Sequence, residues 1–186
     1  MSKVQTLIST EWVNRWAELY PPEYDDKLRS VHDQVNARGY YDRADLMAVA
    51  EWKLKGSYWP KHRKTLNRNL DDDIRDITRT ALSAPLTIQH RVMGLLYGVA
   101  VPVASALLMV WNDKLHTVID RRAVNSLVEH GMIPEPPVGK LPPYLDYLAV
   151  CQRISQRCGC DLRDLDRALY KANGNRELPP QTRAHA

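Results

Sequence analysis

Leu96-Tyr97-Gly98-Val99-Ala100-Val101-Pro102-Val103-Ala104, followed by Val118-Ile119-Asp120, is the stretch that decides how this chain reads. An apolar run ends at Gly98, and a second apolar run leaves from Pro102. Glycine lets the backbone turn tightly and approach another molecule closely. Proline suits the first turn of a helix, where its missing N–H forfeits no bond. Two helices joined by a hairpin are expected, with the hairpin amides and the new helix N-terminus pointing outward together. Such an arrangement suits an anion such as a phosphate.

Outward from this stretch, nearly every segment carries helical periodicity. Thr10 to Tyr20 opens with a cap and ends at Pro21-Pro22; Glu23 to Arg38 places Leu28, Val31 and Val35 on one stripe and stops at Gly39. Asp42 and Asp45 begin a helix through Lys55, with Leu46, Val49 and Trp52 on one face. A short basic helix is expected from Pro60 to Asn67, then one from Asp71 to Ser83 whose acidic first turn complements the helix dipole. Pro85 opens the helix that leads into the hairpin. Pro102 to Trp111 is apolar all round and therefore central and buried. Asn112 to Thr117 reads as a loop, Asp120 to His130 as a helix closed by Gly131, and the five prolines between Ile133 and Pro143 as an ordered loop or a short linker. Helices at Tyr144–Cys158 and Asp161–Ala172 follow. The expectation is a compact all-α protein, one domain over residues 1–172 with a mobile tail at 173–186.

A chain of 186 residues fits one core rather than two, and 44% hydrophobic with 26% charged residues is an ordinary globular balance. The net charge of +4 permits nucleic-acid binding without demanding it, so a binding surface has to come from local clustering. No apolar run is long enough to span a membrane. Met1 to Thr6 lacks the apolar core of a signal peptide, so a cytoplasmic location is expected; a monomer is expected as well.

The hairpin with its spaced aspartate resembles the helix-hairpin-helix DNA glycosylase superfamily, which includes endonuclease III and the 3-methyladenine and 8-oxoguanine glycosylases. The family's hairpin usually reads Leu-Pro-Gly-Val-Gly. Leu96, Gly98, Val99 and Ala104 fit, whereas Tyr97 stands for the proline and Ala100 for the second glycine. Tyr58-Trp59-Pro60-Lys61-His62-Arg63 is similar to the Lys-containing helix start that precedes the hairpin, and the resemblance covers roughly residues 58 to 131. It implies double-stranded DNA as partner and a flipped, damaged or modified base as substrate, in DNA repair or in defence against phage DNA with modified bases. Asp120 takes the place of the family's catalytic aspartate, whose carboxylate stabilises the oxocarbenium-like sugar and orients a water. Helix physics alone gives Asp120 a second role as a cap, and the two roles coexist.

The resemblance also implies that the backbone of Gly98, Val99, Ala100 and Val101 holds a DNA phosphate, with a monovalent cation bridging hairpin carbonyls and phosphate. Lys61, Arg63, Arg121 and Arg122 would extend the basic footprint, and Trp52, Lys53, Tyr58 and Trp59 would form the base pocket. Tyr40 and Tyr41 are further pocket candidates, and core packing is the competing role of Trp52. Bifunctional members carry a hairpin lysine that forms a Schiff base. Pro102 stands there, so base release without strand cleavage is expected, with Lys114 as an alternative amine. Cys151 and Cys158 have the first spacing of the four-Cys iron–sulfur cluster found in endonuclease III relatives. Cys160 breaks the pattern and a fourth cysteine is missing, so buried thiols and no iron–sulfur cluster are expected. Two other readings stay open at this point, a non-catalytic DNA-binding hairpin module and an all-α protein-interaction domain.

Overall fold

The computed structural model describes residues 8–56 and 59–174, and among these the protein is all-helical. Ten α-helices follow in chain order: α1 (Thr10–Ala17), α2 (Asp26–Arg38), α3 (Arg43–Lys53), α4 (Trp59–Leu66), α5 (Asp71–Ser83), α6 (Leu86–Met93), α7 (Val101–Trp111), α8 (Arg121–Glu129), α9 (Tyr144–Cys158) and α10 (Leu162–Gly174). None of them is long and apolar enough to cross a membrane.

Helix α7 is the axle of the fold. Every residue from Val103 to Val110 is buried, as its apolar composition on all faces requires. Helices α2, α3 and α6 pack around it. The Tyr41 hydroxyl donates to the Leu107 carbonyl at 2.6 Å, and the Tyr41 amide donates to Thr78 Oγ1 at 3.0 Å, so one buried residue ties the start of α3 to both α7 and α5. A reciprocal capping box between Asp42 and Asp45 starts α3, and Arg38 at the end of α2 pairs with both carboxylates. Helix α10 closes the other side, packing against α1 and α8.

Several boundaries differ from the sequence expectation, each for a physical reason. The first helix ends at Ala17, and Tyr20 folds inward so that its hydroxyl reaches Asp25 at 3.0 Å. Glu23 to Arg38 is not continuous: a 3-10 turn (Pro22–Asp25) precedes α2, because Asp25 is drawn into a buried ion-pair group on α10. At the far end, α10 runs beyond Ala172. Asn173 remains helical and bridges to α8, accepting from Asn125 at 3.3 Å and donating to Glu129 at 3.1 Å. The remainder of the expected tail lies outside the described residues. Cys151 and Cys158 are buried on α9, and Cys160 is half-buried beyond its end.

Residues 116–119, in the loop between α7 and α8, are buried like a core element. His116 is fully buried, and its ring stacks against Tyr144. The Tyr144 hydroxyl donates to the Thr117 carbonyl at 3.2 Å, so it accepts from His116 Nδ1 at 3.2 Å. Nε2 is buried without a partner. Burial, aided by nearby His90, lowers the His116 pKa to about 4, against an ordinary value near 6.5. The folded protein therefore resists a proton that the unfolded chain accepts. This contribution is intact above about pH 6.5 and is lost as the pH falls toward about 4, amounting to about 3 kcal/mol. Thermal melts of the wild type and His116→Gln should diverge over that window, the wild type losing stability faster on acidification. Parallel melting curves would contradict this origin of acid sensitivity.

Candidate active site

Asp120 is the N-cap of α8. Its Oδ1 accepts from the Ala123 amide at 2.8 Å, which fixes the carboxylate's orientation. The backbone leading to it is held from several sides. Ser105 Oγ on α7 accepts from the Ile119 amide at 3.1 Å, and the Tyr147 hydroxyl donates to the Val118 carbonyl at 3.1 Å. The segment leading to the carboxylate is thus tied to α7 and α9. Capping uses one oxygen of Asp120; Lys53 Nζ, from the last residue of α3, donates to the other at 3.1 Å. The lysine side chain is 9% exposed and the aspartate 19%, so the pair is shielded yet reachable.

This ion pair borders a cavity of about 310 Å³, a size within the range of small-molecule sites. Its aromatic wall is Tyr20, Tyr24, Trp52 and Tyr170, and its remaining charged groups are Lys55, Arg121, Arg122, Arg163, Asp166 and Arg167. Arg163 is the buried centre of this wall. It donates to both oxygens of Asp25 at 2.7 Å and pairs with Asp166, while Arg167 reaches Asp25 at 2.8 Å. Burial works against the Asp25 charge, but Arg163 and Arg167 outweigh it and hold the carboxyl below the usual range. Asp166 balances differently: burial pushes it up to about 6 despite Arg163.

The hairpin leads into the N-terminal end of α7. Gly98 has φ +81°, and a Cβ there would stand 3.2 Å from the Leu66 side chain, so both conformation and packing require glycine. Asn69, buried between α4 and α5, clamps the turn. Its Oδ1 accepts from the Tyr97 amide at 2.8 Å, and its Nδ2 donates to the Tyr97 carbonyl at 2.9 Å. The amides of Gly98, Ala100 and Val101 have no acceptor among the described residues, whereas Val99 N–H donates to the Leu96 carbonyl at 3.1 Å. Val99 is also buried. It therefore belongs to the core, a correction to its expected place in the phosphate contact.

Of the residues expected at the site, Trp52, Lys53, Asp120, Arg121 and Arg122 meet at the one cavity. Lys61 and Arg63 are exposed on α4 and do not line it. Trp59 packs against the core instead, and Tyr58 lies outside the described residues. Tyr41 is fully buried by its α7 contact, and the Tyr40 ring carries Arg38 and Arg79. Lys114 is exposed and pairs with Asp161 at 3.0 Å, whose hydrogen bond raises its pKa. It does not line the cavity. Sequence reasoning missed Tyr20, Tyr24, Lys55, Arg163, Asp166, Arg167 and Tyr170. One signal existed: Arg163, Asp166 and Tyr170 recur at helical spacing on a helix whose other stripe is apolar. Among the described residues, no group of three His, Cys, Asp or Glu side chains could hold a metal ion.

No protein-family model matches this chain, and no curated protein or solved structure matches it either.

The Asn69 clamp has a measurable consequence. Asn69→Ala removes both bonds to Tyr97 and leaves its amide and carbonyl unpaired, which should lower stability by about 2 kcal/mol. Amide exchange at Tyr97 should accelerate. A loss below about 0.5 kcal/mol in chemical denaturation, with unchanged exchange, would show that the turn does not depend on Asn69.

Proposed function

We propose that this protein is a monofunctional DNA glycosylase, which flips a damaged or modified base out of a duplex and hydrolyses its N-glycosidic bond. The observation that carries the reading is the Lys53–Asp120 pair beside the cavity, with Asp120 fixed on a helix N-cap. Cleaving the bond between C1′ and the base nitrogen sends the bonding electrons to the base. Positive charge builds on the sugar and negative charge on the departing ring. A carboxylate near the sugar and an ammonium near the base stabilise these two developing charges.

In this mechanism the sugar C1′ sits against Asp120 and the base enters the cavity. Water adds to C1′ and gives its proton to Asp120. Lys53 gives a proton to the base nitrogen, and proton return from Asp120 to Lys53 restores the pair. The products are an abasic site and the free base. Pro102 stands in the hairpin where bifunctional members carry a lysine, and proton return from Asp120 keeps Lys53 an ammonium rather than a nucleophile, so the strand stays intact. The amides of Gly98, Ala100 and Val101 serve a backbone phosphate, a contact that positions the duplex without reading its sequence. Arg121 and Arg122, exposed at the cavity mouth, serve the phosphates flanking the flipped nucleotide.

Mass spectrometry of free bases tests the reading, using duplexes with oxidised, deaminated and alkylated bases and phage-type DNA with modified cytosines. If Asp120 contributes about 4 kcal/mol to the transition state, Asp120→Asn should slow release about a thousandfold with DNA affinity retained. Gel analysis should show uncut strands until alkali is added. Equal release by wild type and variant would remove Asp120 from the mechanism, and no release from any of these substrates would refute the glycosylase reading.

A further inference from the structure

The way the cavity's own charges are already engaged restricts what can enter it. Each aromatic ring in its wall has a protein cation over it. Arg163 lies 5.3 Å from the Trp52 ring centre and 5.5 Å from that of Tyr20, Arg167 lies 5.7 Å from Tyr20, Lys55 lies 4.2 Å from Tyr24, and Arg122 lies 4.8 Å from Tyr170. The carboxylates are engaged as well. Asp120 holds Lys53, Asp166 holds Arg163, and Asp25 beneath the wall holds Arg163 and Arg167. Lys55, Arg121 and Arg122 have no carboxylate partner among the described residues, so the mouth carries an unbalanced positive charge.

A cationic ring entering this space meets aromatic rings that already carry a protein cation and no uncommitted carboxylate, and rings and carboxylates are the two groups that stabilise such a ring. A ring rich in carbonyl or carboxylate oxygens meets N–H donors. We infer that the cavity selects an uncharged or anionic, acceptor-rich base and rejects a positively charged one such as an N-alkylated base. The inference rests on the glycosylase reading for its substrate and agrees with the chemistry of departure. A neutral base leaves with the bonding electrons as an anion and needs the Lys53 proton, whereas a cationic base leaves neutral and needs none.

Calorimetric titration of the full chain with three nucleosides on one ring tests the preference separately from catalysis: anionic 5-carboxycytidine, neutral cytidine and cationic 3-methylcytidine. The expected order of affinity follows that sequence, with the cation weaker than the anion by roughly tenfold or more, a gap that salt narrows. The exposed double variant Lys55→Gln with Arg122→Gln should bring the anion and cation closer together. Equal or tighter binding of the cation, or no binding of any of the three at millimolar concentration, would overturn the inference. Base release that disappears in Asp120→Asn would survive that result, so failure of the charge preference and failure of the glycosylase reading are distinguishable.

Discussion

A guanidinium buried without partners would cost several kcal/mol, and that constraint governs the architecture around Arg163. Burial opposes its charge, yet Asp166 and Asp25 outweigh burial and raise its pKa further. Meeting the need for partners draws Asp25 inward from the N-terminal region and brings Tyr20 with it. The consequence is visible in the backbone, where a 3-10 turn interrupts what would otherwise run into α2. The same guanidinium stacks over Trp52 at the end of α3 and so joins three distant parts of the chain. The wall of the cavity is therefore a product of the ion pairs that hold α10 in place.

Asp120 depends on a second constraint, the burial of residues 116–119. A buried irregular segment needs partners for its backbone groups, and here Ser105, Tyr144 and Tyr147 supply them. A carboxylate at the end of a segment fixed in this way has little freedom left. Fixed charges facing a developing charge are the largest single source of rate enhancement in many enzymes. In the proposed cleavage the Lys53–Asp120 pair supplies a charge of each sign, and the hairpin amides of Gly98, Ala100 and Val101 have no acceptor among the described residues.

Much of this was legible in the sequence, and the limits are physical. The helices follow from apolar spacing and from caps such as the Asp42–Asp45 box. Helix α7 is recognisable as buried because no face of it is polar. Glycine at position 98 is readable as a turn, and the Leu66 contact that also demands it is not. Trp52 and Lys53 could be placed near the site only through their order along the chain, and folding turns them toward Asp120. The helical spacing of Arg163, Asp166 and Tyr170 was legible but not their place at the site, because surface helices carry the same charges at the same spacing. Only tertiary packing buries Arg163 and Asp166. Val99 shows the opposite error, since a hairpin position gave no sign that its amide would be used internally.

The central claim is that Asp120 stabilises positive charge on the sugar, and it can be tested without knowing the base. Two duplexes would be compared, one bearing a cationic pyrrolidine in place of the deoxyribose and one bearing the neutral tetrahydrofuran analogue. The account predicts that the wild type binds the cationic analogue roughly a hundredfold more tightly, and that Asp120→Asn loses this preference while keeping its affinity for the neutral duplex. Equal affinities in the wild type, or an undiminished preference in the variant, would contradict it.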